Sequence, residues 1–165
     1  MRTLYLLRHA KSSWKDATLP DYDRPLKDRG RKAAKRIGKY IAAEKLNNPL
    51  VVCSPAVRAR ETAEIVLKHA HLPVEVRYEE RIYEASLRDL VQVVSEIPDD
   101  KPLVILIGHN PGFEELLAYL TGEGRRMPTC ALAKIKFEVE SWKDIKEDQG
   151  ALDWFVTPKE LEEED

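Results

Sequence analysis

Cysteine is scarce in this sequence, and long apolar runs are absent from it. The 165 residues contain only Cys53 and Cys130, which are too few for a disulfide framework. No apolar run approaches the length of a membrane-spanning helix, and the amino-terminal residues lack the pattern of a signal peptide. We therefore expect a protein of the reducing cytoplasm, with Cys53 as a buried free thiol and with no membrane partner.

The sequence also lacks a large excess of either positive or negative charge. Lysine and arginine contribute 27 residues, and aspartate and glutamate contribute 29, for a formal net charge of −2. Because no global basic field is present, we expect no nucleic acid partner. The sequence has no His-Glu-x-x-His segment, no closely spaced cysteine pair and no glycine-rich nucleotide loop. We accordingly expect neither a metal ion nor a cofactor.

Reactive or cationic side chains follow three of the short apolar runs that are present. The composition of these runs is typical of buried strands. The side chains occur in this order: Arg8 and His9 after Thr3–Leu7, Arg58 shortly after Leu50–Cys53, and His109 after Leu103–Ile107. The carboxyl ends of parallel strands share one edge of a sheet, where α/β folds place their ligands. We therefore expect these four side chains to meet at that edge.

The second and third junctions are expected to lead directly into helices. Ser54 and Asn110 are residue types that favour the N-cap, and Pro55 and Pro111 favour the first helical position. Arg58 then lies in the first turn of its helix. Because helix amino termini present free N–H groups and the positive end of a dipole, this edge of the sheet suits a phosphoryl group.

Strand-like and helix-like patterns alternate along most of the chain. The alternation predicts a three-layer α/β sandwich with a mostly parallel central sheet. Two later alternating segments, residues 131–137 and 151–156, predict an antiparallel addition at one edge of the sheet. We expect one folded domain over residues 1–158, followed by an acidic and frayed carboxyl-terminal tail, residues 159–165.

Four motifs together resemble the histidine phosphatase superfamily, which includes the phosphoglycerate mutases. In chain order, between Thr3 and Leu120, they are Leu7-Arg8-His9-Ala10, Asp23-Arg24-Pro25-Leu26-x-x-Arg29-Gly30, Ser54-Pro55-x-x-Arg58-x-x-x-Thr62-Ala63 and Gly108-His109-x-Pro111. The second motif is similar to that of the SixA-type phosphohistidine phosphatases. The resemblance implies a phosphoglycerate mutase-like fold and the activity of a phosphatase.

The resemblance and the chemistry of the side chains imply the same roles for the four residues at the strand ends. An imidazole with an ordinary pKa of about 6.5 is a nucleophile near neutral pH. His9 is therefore expected to attack phosphorus and to form a phosphohistidine that water then cleaves. Arg8 and Arg58 are expected to hold the phosphoryl oxygens in a planar, partly bidentate way. His109 is expected to donate a further hydrogen bond, as an imidazolium.

A leaving alkoxide also needs a proton, and Glu84 is the candidate general acid. In superfamily members that have such an acid, a glutamate lies in this interval of the chain, and Glu79 and Glu80 are rival candidates here. SixA-type enzymes depend less on this acid, because the imidazole of a phosphohistidine substrate can be protonated before it leaves. Glu84 is therefore predicted to matter most for ester substrates.

The loop after the Arg-His pair offers further candidates for substrate binding. Lys11, Ser12 and Lys15 are expected to contact the substrate or its phosphoryl group. Lys15 stands where the mutases have an asparagine that helps to bind phosphate, which counts against mutase specificity. Asp23 and Arg24 are expected to have a structural role in this loop.

Three functions are compatible with these residues. The interval from Thr62 to Leu103 is too short for the long insertions that cover the site in mutases, so an open pocket is expected. An open pocket favours a phosphorylated protein, with phosphohistidine as the substrate. The alternatives are a phosphatase of a small phosphorylated metabolite and a non-catalytic module that binds a phosphorylated ligand. Retention of His9 argues against the last, because binding alone does not need a nucleophile.

Overall fold

The computed structural model describes residues 1–162, in which a six-stranded sheet has helices on both faces. The strands in chain order are β1 (Arg2–Arg8), β2 (Leu50–Cys53), β3 (Val76–Tyr78), β4 (Leu103–Gly108), β5 (Leu132–Phe137) and β6 (Ala151–Val156). The helices are α1 (Asp28–Ala42), α2 (Val57–His69), α3 (Leu87–Ser95), α4 (Gly112–Thr121) and α5 (Pro158–Glu162). The predicted three-layer α/β sandwich is confirmed.

The strands lie across the sheet in the order β3-β2-β4-β1-β5-β6. The first four are parallel to one another, whereas β5 pairs antiparallel with both β1 and β6. The antiparallel pair lies at one edge, as the alternation in residues 131–137 and 151–156 predicts. The parallel part brings together the carboxyl ends of β1, β2 and β4, which are the three strands that precede the candidate side chains.

Side chains of the central strand β1 alternate between two hydrophobic cores. Leu4 and Leu6 belong to the core that includes residues of α3 and α4, whereas Tyr5 and Leu7 belong to the core that includes residues of α1 and α2. A strand covered on both faces is expected to be a continuous apolar run, and that is the pattern of β1. Burial on both faces fixes the position at which the strand presents its polar end.

The prediction that Ser54 and Asn110 cap helices is wrong. Helix α2 begins three residues after Ser54 and α4 begins two residues after Asn110, and neither side chain accepts a hydrogen bond from the first turn of its helix. Both side chains reach other elements, because buried polar atoms need partners. Ser54 contacts His109, and the Asn110 amide donates to the carbonyl oxygen of Met127.

Helix α5 continues the fold beyond the predicted end of the domain. Leu161 packs against the core that α1 and α2 share, and Arg36 lies 3.8 Å from the carboxylate of Glu162. Residues 159–162 of the predicted frayed tail are therefore helical, because one apolar side chain and one ion pair tie them to the domain. The rest of that tail, residues 163–165, lies outside the described residues.

Cys53 and Cys130 are both buried free thiols, and burial raises the pKa of each above its usual range. Neither thiol is therefore a nucleophile near neutral pH.

Within residues 1–162, no helix is both long enough and apolar enough to cross a membrane.

Candidate active site

The carboxyl-terminal edge of the parallel strands brings four sequence-predicted side chains together. Arg8 is the last residue of β1 and His9 follows it, Arg58 lies in the first turn of α2, and His109 follows β4 directly. All four line one cavity of about 910 Å³. The ring centroids of His9 and His109 are 5.0 Å apart. The three strand ends thus converge on one site, because parallel neighbours end at the same edge.

The His9 imidazole has one ring nitrogen committed to the backbone. Its Nδ1 atom lies 2.7 Å from the carbonyl oxygen of Ala10, and since a carbonyl can only accept, Nδ1 carries the proton. The other ring nitrogen, Nε2, then holds a free electron pair. Burial lowers the pKa of His9 to about 3, and the charges of Arg58 and Arg8 act in the same direction. His9 is therefore neutral and nucleophilic at neutral pH.

The second histidine, His109, is held by a buried hydroxyl. Its Nε2 lies 2.7 Å from the Oγ of Ser54, and its Nδ1 is buried without a hydrogen-bond partner among the described residues. Burial lowers the pKa of His109 to about 4, and Arg58 adds to the effect. The ring is thus neutral in the free site. The imidazolium expected from the sequence needs an anion in the cavity to favour it.

The Arg8 guanidinium is anchored by a backbone carbonyl. Its Nη1 donates to the carbonyl oxygen of Met127 at 2.9 Å, and its Nε is buried without a partner among the described residues. Burial lowers the pKa of Arg8, whereas Glu114 opposes that change. An arginine side chain remains charged under these conditions. Its remaining N–H groups are donors for an anion in the cavity.

Arg58 is anchored by an aspartate that the sequence analysis did not select. Its Nη1 donates to the backbone oxygen of Asp21 at 2.8 Å, and its Nη2 donates to Oδ2 of the same residue at 3.0 Å. Asp21 Oδ2 also accepts from the Tyr83 hydroxyl at 2.6 Å, while Oδ1 accepts from Arg24 at 3.0 Å. Burial acts to raise the pKa of Asp21, but the Tyr83 hydrogen bond and the Arg58 charge outweigh it and lower that pKa to about 2.

Asp21 is thus ionised near neutral pH, and it ties the loop that precedes α1 to Arg58 and Tyr83. It lies in a short 3₁₀ turn, Asp21–Asp23, immediately before the Arg24-Pro25-Leu26 part of the SixA-like motif. Tyr83 is adjacent to Glu84 in sequence, and its ring centroid lies 5.6 Å from that of His109. The sequence could have indicated Asp21 only by its nearness to the SixA-like motif, and Tyr83 only by its nearness to Glu84. Nothing in the type or the spacing of either residue distinguishes it from other residues of the chain.

Thr62 joins α2 to the segment that follows β1. Its Oγ1 accepts a hydrogen bond from the Ala10 backbone N–H at 2.9 Å and donates to the carbonyl oxygen of Arg58 at 2.7 Å. One buried hydroxyl therefore connects the backbone beside His9 to the helix turn that carries Arg58. This contact fixes the distance between the histidine and the arginine.

The predicted substrate contacts Lys11, Ser12 and Lys15 all line the cavity. The Ser12 hydroxyl accepts from Nη1 of Arg24 at 2.7 Å, and the two lysine side chains are exposed. Arg24 is buried and braces the loop through Ser12 and Asp21, which agrees with the structural role expected of it. The lysines add positive charge to the cavity mouth.

The structure does not bring Glu84 into the cavity lining. Its side chain is exposed, and its backbone has a φ of 53°, in the left-handed region. Of the rival carboxylates, Glu79 is paired with Arg81 at 2.8 Å, and Glu80 is exposed. The role of Glu84 as a general acid stays a prediction.

Metal-ligating side chains are not clustered in the part of the chain that the structure describes. No group of three or more histidine, cysteine, aspartate or glutamate residues within it is arranged to hold a metal ion. The charge of the cavity comes instead from its arginines and lysines, which suit an anion. The arrangement can hold a phosphoryl group with side-chain donors and attack it with the Nε2 atom of His9.

Proteins of known sequence that resemble this chain identify its family. A family model described as the histidine phosphatase superfamily, branch 1, matches residues 4–104. An uncharacterised protein of Mycobacterium tuberculosis is 30% identical over 164 residues, covering 93% of this chain and 100% of the relative. An uncharacterised phosphatase of Bacillus subtilis is 24% identical over 182 residues, covering 87% of this chain and 92% of the relative.

Solved structures are similar over nearly the whole chain. A protein from Agrobacterium tumefaciens, assigned as the phosphohistidine phosphatase SixA, has a TM-score of 0.82 and 26% identity, covering 95% of this chain and 98% of that one. A protein histidine phosphatase SixA complexed with tungstate has a TM-score of 0.83 and 21% identity, covering 96% of this chain and 99% of that one. Similarity of this extent shows that these structures share the overall fold of this chain.

Proposed function

The chain belongs to the histidine phosphatase superfamily, and from that premise we propose that it hydrolyses phosphohistidine in a partner protein. Membership of the superfamily supports phosphatase chemistry. The observation that carries the proposal is the hydrogen bond from His9 Nδ1 to the Ala10 carbonyl, which leaves Nε2 free toward a cavity lined by arginines. A neutral nucleophile beside anion-binding side chains is what phosphoryl transfer requires.

The proposed reaction has two displacements. The phosphoryl oxygens bind to Arg8, Arg58 and His109, and His9 Nε2 attacks phosphorus in line with the leaving nitrogen. The P–N bond of the substrate breaks, its electron pair returns to the leaving imidazole, and a new P–N bond forms on His9. Water then attacks the phosphoryl group on His9, which releases inorganic phosphate and restores the neutral ring. Positioning and electrostatic stabilisation supply most of the rate.

The choice of leaving group is supported by the carboxylates around the cavity. Among the described residues that line it, the only carboxylates are Asp16 and Asp28, and both are exposed. Glu84 lies outside the lining. An imidazole that is already protonated on its other nitrogen leaves as a neutral molecule and needs no acid from the enzyme, whereas an alkoxide does. A phosphohistidine substrate therefore suits this cavity better than an alkyl phosphate.

A panel of substrates tests the proposal. Purified protein is incubated with a phosphohistidine-containing protein, free phosphohistidine, and sugar, nucleotide and glycerate phosphates, and released phosphate is measured. We expect kcat/KM to be highest for phosphohistidine and to vanish in His9→Ala. Higher kcat/KM for one of the metabolites would replace the proposal by the metabolite phosphatase. Absence of turnover on every substrate, including a chromogenic aryl phosphate, would leave a phosphate-binding module.

A further inference from the structure

Exposed apolar side chains are concentrated at the mouth of the active-site cavity. Five large hydrophobic residues of the described chain are exposed, and three of them lie on the loop between β1 and α1: Trp14, Leu19 and Tyr22. We call these three residues the apolar lip. Trp14 and Leu19 line the cavity itself, and Trp14 is 73% exposed. Exposed apolar side chains that are grouped beside a cavity are typical of a surface that binds a partner.

The Trp14 ring is held in place although it is exposed. The guanidinium carbon of Arg24 lies 3.5 Å from the ring centroid, in cation–π contact. Arg24 is itself buried and fixed by Ser12 and Asp21. A bridge between Ser12 and Leu26 closes the base of the same loop. This contact restrains the ring before a ligand binds, which reduces the entropy lost when a partner covers it.

The same mouth carries concentrated positive charge. Seven lysine or arginine residues line the cavity against two carboxylates, in a chain whose net charge is −2. Three of the cations are exposed lysines that line the cavity, namely Lys11, Lys15 and Lys27. The four-residue site needs only its own arginines to hold one phosphoryl group. The lysines are therefore available to anionic groups that flank the phosphoryl group on the ligand.

Resting on the proposed function, we propose that the apolar lip and its lysines form the docking surface for an acidic partner protein. The partner carries the phosphohistidine on a surface with aspartate or glutamate and at least one apolar side chain beside it. The apolar residue packs on Trp14 while the carboxylates face Lys11, Lys15 and Lys27. The docking surface is continuous with the catalytic cavity, so a residue that enters the cavity necessarily brings its neighbours onto the lip.

Three synthetic probes test this inference. They are free phosphohistidine, a peptide with phosphohistidine flanked by leucine and aspartate, and the same peptide with lysine replacing aspartate. The quantity measured is the ratio of kcat/KM for the acidic peptide to that for free phosphohistidine. For the native protein we expect a ratio well above one, and a lower ratio for the lysine peptide.

Matched variants identify the contribution of Trp14. Buried aromatic anchors at interfaces are worth about tenfold or more in affinity, so Trp14→Ala should lower the ratio by roughly tenfold through KM, and Trp14→Phe should restore much of it. Tyr78→Ala is the control, because Tyr78 is also exposed and stacked on an arginine, Arg60, but lies outside the cavity lining. We expect this control to leave the ratio unchanged.

The outcomes separate this inference from the function on which it rests. An unchanged ratio in Trp14→Ala, with the native protein active on both probes, overturns the docking surface and leaves the phosphatase proposal intact. An equal loss on both probes also overturns it, because Trp14 then acts on the phosphohistidine itself. A native protein that hydrolyses aryl phosphates but neither phosphohistidine probe overturns the proposed function and the docking surface together.

Discussion

The Oγ of Ser54 lies 2.7 Å from Nε2 of His109, inside the protein and between the ends of β2 and β4. Ser54 also accepts a hydrogen bond from the Ala56 backbone N–H, so its own proton is available to the imidazole. When Ser54 donates to Nε2, the ring proton of His109 lies on Nδ1, the buried atom that has no other described partner. The serine thus orients the ring of the second histidine.

Ser54→Ala should therefore slow catalysis without unfolding the protein. A lost hydrogen bond of this kind is worth about 1 kcal/mol, which corresponds to a roughly five- to tenfold lower kcat/KM. Steady-state kinetics on phosphohistidine measure the effect, and Ser95→Ala is the control, because the Ser95 hydroxyl caps only its own exposed helix turn on α3. Equal kinetics for Ser54→Ala and the native protein would show that the contact does not orient His109.

Asp21→Asn should weaken the grip of Arg58 on the phosphoryl group. The asparagine keeps the size of the side chain but removes the charge that holds the guanidinium, and hydrogen bonds to charged groups are worth about 1.5–3 kcal/mol. We expect KM to rise by roughly tenfold and kcat to fall less. The control is Asp23→Asn, an exposed carboxylate in the same 3₁₀ turn.

Two results would contradict that account of Asp21. If both aspartate variants change KM equally, the effect belongs to the charge of the loop and not to the contact with Arg58. If Asp21→Asn lowers KM, the carboxylate competes with substrate for Arg58 instead of positioning it. Vanadate inhibition, measured alongside, reports on phosphoryl binding without a leaving group and should weaken in parallel with the rise in KM.

Stability should fall as the pH is lowered from about 6.5 toward 4. Burial lowers the pKa of His9 to about 3 and that of His109 to about 4, below the value of 6.5 in an unfolded chain. As the pH falls below 6.5, the histidines of the unfolded chain take up protons before those of the folded chain do. This uptake stabilises the unfolded state, so the stability present above pH 6.5 is lost. Between pH 7 and pH 4.5, each histidine should cost about 2.5 kcal/mol of unfolding free energy.

Urea unfolding at pH 7 and at pH 4.5 measures this loss. The matched variant is His9→Gln, which keeps a polar side chain but has no titrating ring. It should lose less stability between the two pH values than the native protein does. An equal loss in both proteins would mean that His9 is already protonated in the folded state at the lower pH, contrary to its burial.

The sequence predicts the secondary structure around the site well, for a physical reason. Strands β1, β2 and β4 are buried on both faces, so they appear as continuous apolar runs with clear ends. The residues that follow those runs, Arg8, His9, Arg58 and His109, therefore could be placed at one edge of the sheet. At these strand ends, the local sequence pattern is therefore enough to indicate where the side chains lie in the fold.

The remaining parts of the site depend on contacts that local pattern does not contain. The Tyr83 hydroxyl and Asp21 are 62 residues apart in sequence and meet only through tertiary packing. Ser54 stands where the sequence pattern predicts a helix cap, but its hydroxyl forms a hydrogen bond with His109, because the buried imidazole needs a partner. Residues recruited by such long-range needs cannot be recognised from spacing alone.

Glu84 offers a direct comparison of leaving groups. If Glu84 is a general acid, Glu84→Gln should slow hydrolysis of alkyl phosphates by about 10²–10⁴-fold while costing little on phosphohistidine, whose imidazole leaves without that help. Rates on both substrates are measured with the same enzyme preparation. Large and equal losses would favour a metabolite phosphatase with an obligatory acid. Unchanged rates on both would remove Glu84 from the mechanism and leave it an exposed loop residue.

The central claim is that His9 Nε2 attacks phosphorus and carries the phosphoryl group. The most direct measurement is rapid mixing of the protein with phosphohistidine substrate, quenching in base, and mapping of the bound phosphoryl group by mass spectrometry. The account predicts an acid-labile, base-stable phosphoryl group on His9 in the native protein, and neither label nor turnover in a folded His9→Ala variant. Turnover by His9→Ala at a near-native rate, or a label on another residue, would contradict it.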